Sequence, residues 1–74
     1  MQRSVVLYTR VGCHLCDDAL LLLRAHGVEP LVVDIDADPE LRALHHEWVP
    51  VVAIDGQVRF RGAIAPRLLK RLLR

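Results

Sequence analysis

Between residues 4 and 35 the apolar pattern changes period twice, and that change limits the chain to few folds. Ser4 to Thr9, with Val5, Val6, Leu7 and Tyr8, is a β-branched, apolar and aromatic run ended by Arg10-Val11-Gly12, and reads as a buried strand. Cys13 to about His26 has the length of a helix, with Leu15, Ala19, Leu22 and His26 at helical spacing, further leucines between them and Gly27 as the stop. Leu31 to Ile35 is a second apolar run, too short for a helix and preceded by Pro30. Strand, helix and strand in this order make a βαβ unit, whose two strands pair in parallel.

The remaining half supplies a helix, a hairpin and a terminal helix. Asp38-Pro39-Glu40 places an N-capping acid, a proline at the first helical position and a further acid in the first turn, so a helix runs from there to about Glu47. Val51 to Ile54 and Val58 to Phe60 are β-rich segments flanking Asp55-Gly56, a pair that tolerates φ > 0 and suits a type I′ turn. From Ala65-Pro66 onward, Leu68, Leu69, Leu72 and Leu73 alternate with Arg67, Lys70, Arg71 and Arg74, the pattern of an amphipathic helix continuing to the last residue. The element order is βαβαββα.

Seventy-four residues leave room for one domain, so residues 1–74 are expected to form a single unit with few kcal/mol of net stability. Apolar residues make up 53% of the chain and charged residues 26%, which excludes the composition of a disordered segment. The longest unbroken apolar run, Ala19 to Leu23, has five residues. A membrane span needs about 20 and the core of a secretory signal at least ~7. The expectation is a cytoplasmic protein that neither crosses a membrane nor is secreted by that route. The net charge of +1 conceals a gradient, since residues 11–56 carry nine acids and two bases and residues 57–74 carry six bases and no acid. A basic terminal helix can meet nucleic acid or an anionic membrane, but a leucine stripe is what docks such a helix onto a sheet. No nucleic-acid or membrane partner is expected, although the polar face can steer an acidic protein.

Two cysteines fall below the density of a disulfide scaffold, and Cys13 and Cys16 close too small a loop to stabilise much. A C-x-x-C beside a βαβ pattern calls for redox chemistry or metal binding before a structural role. Zinc takes about four ligands, and no H-x-x-x-H follows the C-x-x-C at finger spacing, so a metal site would have to be completed across a dimer. None of the histidines is assigned as a ligand. His14 reads as an exposed modulator of Cys13, His26 as a helix C-terminal residue, and His45 and His46 as surface residues of the second helix. Asp34-Ile35-Asp36-Ala37-Asp38 begins like a calcium loop, yet Pro39 and His45 stand at its sixth and twelfth positions, where Gly and Glu are needed. These acids read instead as a solvated strand end and a helix cap.

The string Tyr8-Thr9-Arg10-Val11-Gly12-Cys13-His14-Leu15-Cys16, the Val49-Pro50-Val51 segment and the element order together resemble the glutaredoxin-like branch of the thioredoxin fold. The likeness covers nearly the whole chain, and is strongest to small bacterial glutaredoxin-like proteins in which G-C-H-L-C follows a Y-T strand end. It implies an α/β thioredoxin/glutaredoxin-like monomer whose four-stranded mixed sheet has the order 4-3-1-2, with strand 3 antiparallel, flanked by helices. It also implies a thiol-disulfide oxidoreductase without a bound cofactor, reducing protein or small-molecule disulfides through a mixed disulfide. Glutathione or a thioredoxin reductase would be the external electron donor. The alternative is a non-catalytic thioredoxin-fold module that holds a metal or iron-sulfur cluster through the C-x-x-C.

On the first reading Cys13 sits at the N-cap of the first helix, where unsatisfied N–H groups and the helix dipole favour a thiolate, and is the nucleophile. Cys16, one turn further in and less exposed, resembles the resolving thiol. Arg10 and His14 favour the anion and Asp17, at i+4, opposes it. The resemblance implies a cis Val49–Pro50 bond against the C-x-x-C, and a proline without an N–H leaves the Val49 main chain free to pair with an extended substrate. Arg10, His14, Trp48, Val49 and Pro50 are therefore the candidate substrate-binding residues, with Trp48 either a lid beside the cysteines or core filler. Glutathione-binding members carry a basic residue before the C-x-x-C, a small hydroxylated residue before the V-P, and a Gly-Gly turn followed by Asp. Arg10 keeps the first, whereas Trp48 and Gly62-Ala63-Ile64-Ala65 replace the others and remove side chains that would hold glutathione's terminal charges. Strand one also lacks the buried acid with which thioredoxins deprotonate the resolving thiol.

Overall fold

The computed structural model describes residues 4–73. Its elements are β1 (Val5–Thr9), α1 (His14–Ala25), β2 (Leu31–Asp34), α2 (Pro39–His45), β3 (Val51–Ile54), β4 (Gln57–Arg61) and α3 (Pro66–Leu72), with 3-10 turns at Ile35–Ala37 and His46–Trp48. The strands form one sheet in the order β2-β1-β3-β4, which read from the other edge is 4-3-1-2. β1 and β2 are parallel, with Tyr8 opposite Val33, and β3 runs antiparallel to both β1 and β4. A register shift between Val52 and Ala53 pairs Val52 with Phe60 and Ala53 with Val58, so Arg59 is the extra residue of a bulge on the β4 edge.

Local chemistry sets the element ends. Behind α1, the Gly27 N–H donates to the Arg24 carbonyl and the Val28 N–H to the Leu23 carbonyl, both at 2.9 Å. This is a Schellman closure; it needs a left-handed residue, and Gly27 has φ +79. Asp34 accepts from the Asp36 N–H and Asp38 from the Glu40 N–H, each at 2.9 Å, so two alternating acids cap two successive turns. Asp55 and Gly56 have φ 53 and 82, the turn the hairpin calls for. Asp55 also accepts from the Ser4 N–H at 3.0 Å, tying the hairpin tip to the start of β1.

One face of the sheet carries the main core. Val5 and Leu7 of β1, Val52 and Ile54 of β3 and Phe60 of β4 pack with Ala19 and Leu23 of α1 and Leu69 of α3. Leu7, Leu23 and Leu69 are fully buried, each stabilising by roughly 1.5–3 kcal/mol. α2 connects β2 to β3 and contributes to a second, smaller cluster at the C-terminal end of β1.

Several boundaries depart from the sequence reading. β2 stops at Asp34, because the Asp34 cap turns Ile35 into the first residue of a 3-10 turn and buries it. The strand lies at the sheet edge, and Leu31 is 66% exposed. α2 ends at His45 rather than near Glu47, because His46 takes φ 43 and breaks the helix. α3 ends at Leu72 with Leu73 as its cap; Arg74, the expected last helical residue, lies outside the described residues. No helix among the described residues is long and apolar enough to cross a membrane.

Candidate redox site

The chain leaves β1 at Thr9 and enters α1 through a turn closed by the Cys13 N–H, which donates to the Arg10 carbonyl at 3.2 Å. Cys13 is the N-cap, with extended backbone angles of φ −87 and ψ 107, and its Sγ accepts from the Cys16 N–H at 3.2 Å. A helix start leaves its first N–H groups without backbone partners, and here a sulfur takes one of them. Cys13 and Cys16 have Cα atoms 5.2 Å apart and form a disulfide pair. Their environments differ sharply. Cys13 is half-buried beside exposed neighbours on both sides, Gly12 and His14, whereas Cys16 is 3% exposed. The acid of the first turn is Asp17, itself exposed.

Cys16 is sealed by side chains from four other segments. It forms a buried cluster with Ile35, after β2, and Val49, before β3, and Tyr8, Cys13 and Leu41 pack against that cluster. Pro50 is fully buried and its peptide bond with Val49 is cis. The Trp48 and Pro50 carbonyls both accept from the Gly62 N–H, at 2.9 and 2.8 Å, which pins the approach to β3 against the end of β4. Trp48 is 60% exposed, so its ring does not fill the core. Arg10 turns its guanidinium to the acid turn behind β2, where Nε donates to Asp36 Oδ2 at 3.0 Å. Val49 and Cys16 are thus in one cluster and Pro50 follows directly, whereas Arg10 is held at Asp36 and His14 and Trp48 are exposed.

The second helix holds a residue whose placement the sequence reading misjudged. His45, expected on the surface, is 5% exposed, and its ring centroid lies 4.5 Å from that of Tyr8 with the planes tilted by 35°. Burial first, and then the positive charge of Arg61, hold this imidazole below its ordinary value of 6.5. His46 stays exposed, beyond the helix end. Leu41 and His45 are four residues apart and so share a face of α2, the spacing that could have placed both inward. Ile35 and Tyr8, strand residues by their sequence pattern, join the packing around Cys16.

On the other side of α1, Leu15, Asp18, Ala19 and Leu22 form a cleft of about 160 Å³ with residues 62–64. Neither cysteine lines this cleft. Its lining is apolar apart from one carboxylate and contains no basic side chain. Among the described residues no group of three or more His, Cys, Asp or Glu side chains is placed to hold a metal ion.

Residues 4–74 match the family profile described as a glutaredoxin-like domain (DUF836). The chain belongs to this glutaredoxin-like family. Solved structures agree with the assignment. Protein Ne2328 from Nitrosomonas europaea is 26% identical, with a TM-score of 0.88 over 100% of this chain and 94% of that one. Protein XcR50 from X. campestris is 32% identical, with a TM-score of 0.79 over 95% of each chain. The glutaredoxin-like protein NrdH-redoxin from Escherichia coli, described as having a thioredoxin-like activity profile, is 25% identical, with a TM-score of 0.71 over 93% of each chain. No curated protein sequence matches the chain. A glutaredoxin-like fold carrying the Cys13–Cys16 pair supports a redox function for this member of the family.

Proposed function

We propose that this glutaredoxin-like protein is a single-domain thiol-disulfide oxidoreductase in which Cys13 is the nucleophile and Cys16 the resolving thiol. The observation that carries the reading is the asymmetry of the pair: one sulfur is half-open at the N-cap of α1, and the other is sealed by Ile35 and Val49. In the reduced protein the Cys13 thiolate attacks a substrate disulfide, forming a Cys13–substrate bond and releasing one substrate thiolate. Cys16, deprotonated, then attacks Cys13 Sγ, expelling the second substrate thiolate and closing the Cys13–Cys16 disulfide. Two electrons leave the protein, and an external dithiol or two monothiols must restore them.

Arg10, His14, Trp48, Val49 and Pro50 shape the approach to Cys13. Proline offers no N–H, so an extended substrate segment would pair with the main chain of Val49. Trp48 and Gly62-Ala63-Ile64-Ala65 stand where glutathione-binding members hold the tripeptide's terminal charges, and this replacement favours a protein disulfide, and a protein reductant, over glutathione. Steady-state reduction of an insulin-type protein disulfide by purified variants tests the roles. Cys13→Ser should lose all turnover, and Cys16→Ser should stall as a mixed disulfide; turnover by Cys13→Ser would overturn the assignment. Running the same assay with glutathione and with an NADPH-linked thioredoxin reductase identifies the donor, the second being expected to support the faster rate.

A further inference from the structure

His45 is a titratable ring with no part in the chemistry just derived, and its surroundings tie it to the cysteines. It lies over Tyr8 at 4.5 Å, and Tyr8, like Cys13, packs on the buried cluster of Cys16, Ile35 and Val49. The Tyr8 ring thus touches the imidazole on one side and packs on the cluster that buries Cys16 on the other, and His45 itself is 5% exposed. Charges so separated feel each other more than charges across solvent do. In the disulfide form the sulfurs carry no charge, and what faces His45 disfavours a second cation. Tyr8 of β1 presents its ring, Arg61 of β4 is positive, and the charged side chains of α2 itself are Glu40 and Arg42, both exposed.

We propose that His45 couples proton uptake to the redox state of the Cys13–Cys16 pair, staying neutral beside the disulfide and taking a proton when the pair becomes a dithiol with Cys13 as thiolate. The inference rests on the thiol-disulfide reading above. A reducing dithiol gives two electrons to the Sγ–Sγ bond and becomes a disulfide itself. Of its two protons, one goes to Cys16 as a thiol and the other to the His45 imidazole, while Cys13 keeps the negative charge. Each new charge favours the other: the anion draws the proton to His45, and the imidazolium stabilises the anion by the same free energy. His45 acts across Tyr8 and is a positioning residue, because the coupling needs no contact between the imidazole and a sulfur.

NMR titration of the His45 ring protons, in the wild-type chain oxidised and then reduced with excess dithiothreitol, tests this without requiring turnover. His45 should titrate at a higher pH in the reduced protein, and in a Cys13→Ser/Cys16→Ser variant, which has no thiolate, it should titrate as in the disulfide form. An unchanged titration on reduction, or a serine variant that behaves like the reduced protein, overturns the coupling and leaves the oxidoreductase reading standing. Conversely, loss of disulfide reductase activity in the wild type would remove that reading, whatever His45 does. A second measurement uses His45→Phe and His45→Tyr, which keep a ring on Tyr8. Between pH 5 and 7 the wild-type reduction potential should fall more steeply with pH than that of either variant, and equal slopes would contradict the proposal.

Discussion

The Sγ of Cys13 accepts a hydrogen bond from the backbone N–H of Cys16 at 3.2 Å, so the two cysteines are joined through the helix start as well as through their sulfurs. A sulfur that caps a helix stands where negative charge is favoured, and its partner one turn in is shielded by the side chains that the sheet and α2 bring up. The proposed division of labour between the two sulfurs rests on this one local geometry.

The Arg10–Asp36 pair joins the turn before Cys13 to the turn after β2, but both side chains are more than a third open or close to it. Exposed pairs of this kind contribute at most about 1 kcal/mol. Asp36→Asn should therefore shift the urea midpoint only slightly, because the Asp36 N–H still donates to Asp34. A loss above ~2 kcal/mol would show that the pair does more than hold Arg10 in place.

His46 carries a side chain at φ 43, in the left-handed half of backbone space that glycine tolerates without a Cβ penalty. Such positions cost of order 1–3 kcal/mol for residues with a Cβ, part of which glycine gives back as entropy of the unfolded chain. His46→Gly should stabilise by about 1 kcal/mol, which is roughly 4–8 °C in Tm for a domain of this size. A lowered Tm would mean that the His46 ring contributes more than its backbone costs.

Protonation of His45 should weaken the fold. Its folded value lies below 6.5, so in the interval between the two values the unfolded chain binds more protons than the native one. The stability due to the neutral ring is therefore complete above pH 6.5 and is lost as the pH falls through the folded value. Chemical denaturation of the oxidised protein from pH 8 to pH 5 should show this decline, and His45→Phe should flatten it. Parallel curves for the two proteins would place the pH dependence elsewhere.

How far these features could be read from the amino acids depends on the range of the interaction behind each. The Asp38 cap, the Gly27 stop, the Asp55-Gly56 turn and the position of Cys13 at a helix start are settled within a few residues, and all were legible. The strand order came from resemblance rather than from pattern, because alternating apolar residues do not say which edges meet. His45 was misplaced because its partner is Tyr8, 37 positions earlier in the numbering, and the contact exists only once α2 lies beside β1. The same holds for Arg10 and Asp36, which meet across 26 residues. Leu31 shows the reverse failure: its apolar character suits a strand, but an edge strand can leave that character open to solvent.

The measurement that bears most directly on the division of roles is substoichiometric alkylation of the fully reduced wild-type protein with iodoacetamide near neutral pH, followed by fragment-ion assignment of the modified cysteine. Cys13 should carry nearly all of the label while Cys16 stays free, because one sulfur is open at the helix cap and the other is 3% exposed. Equal labelling of the two, or preferential labelling of Cys16, would contradict the account.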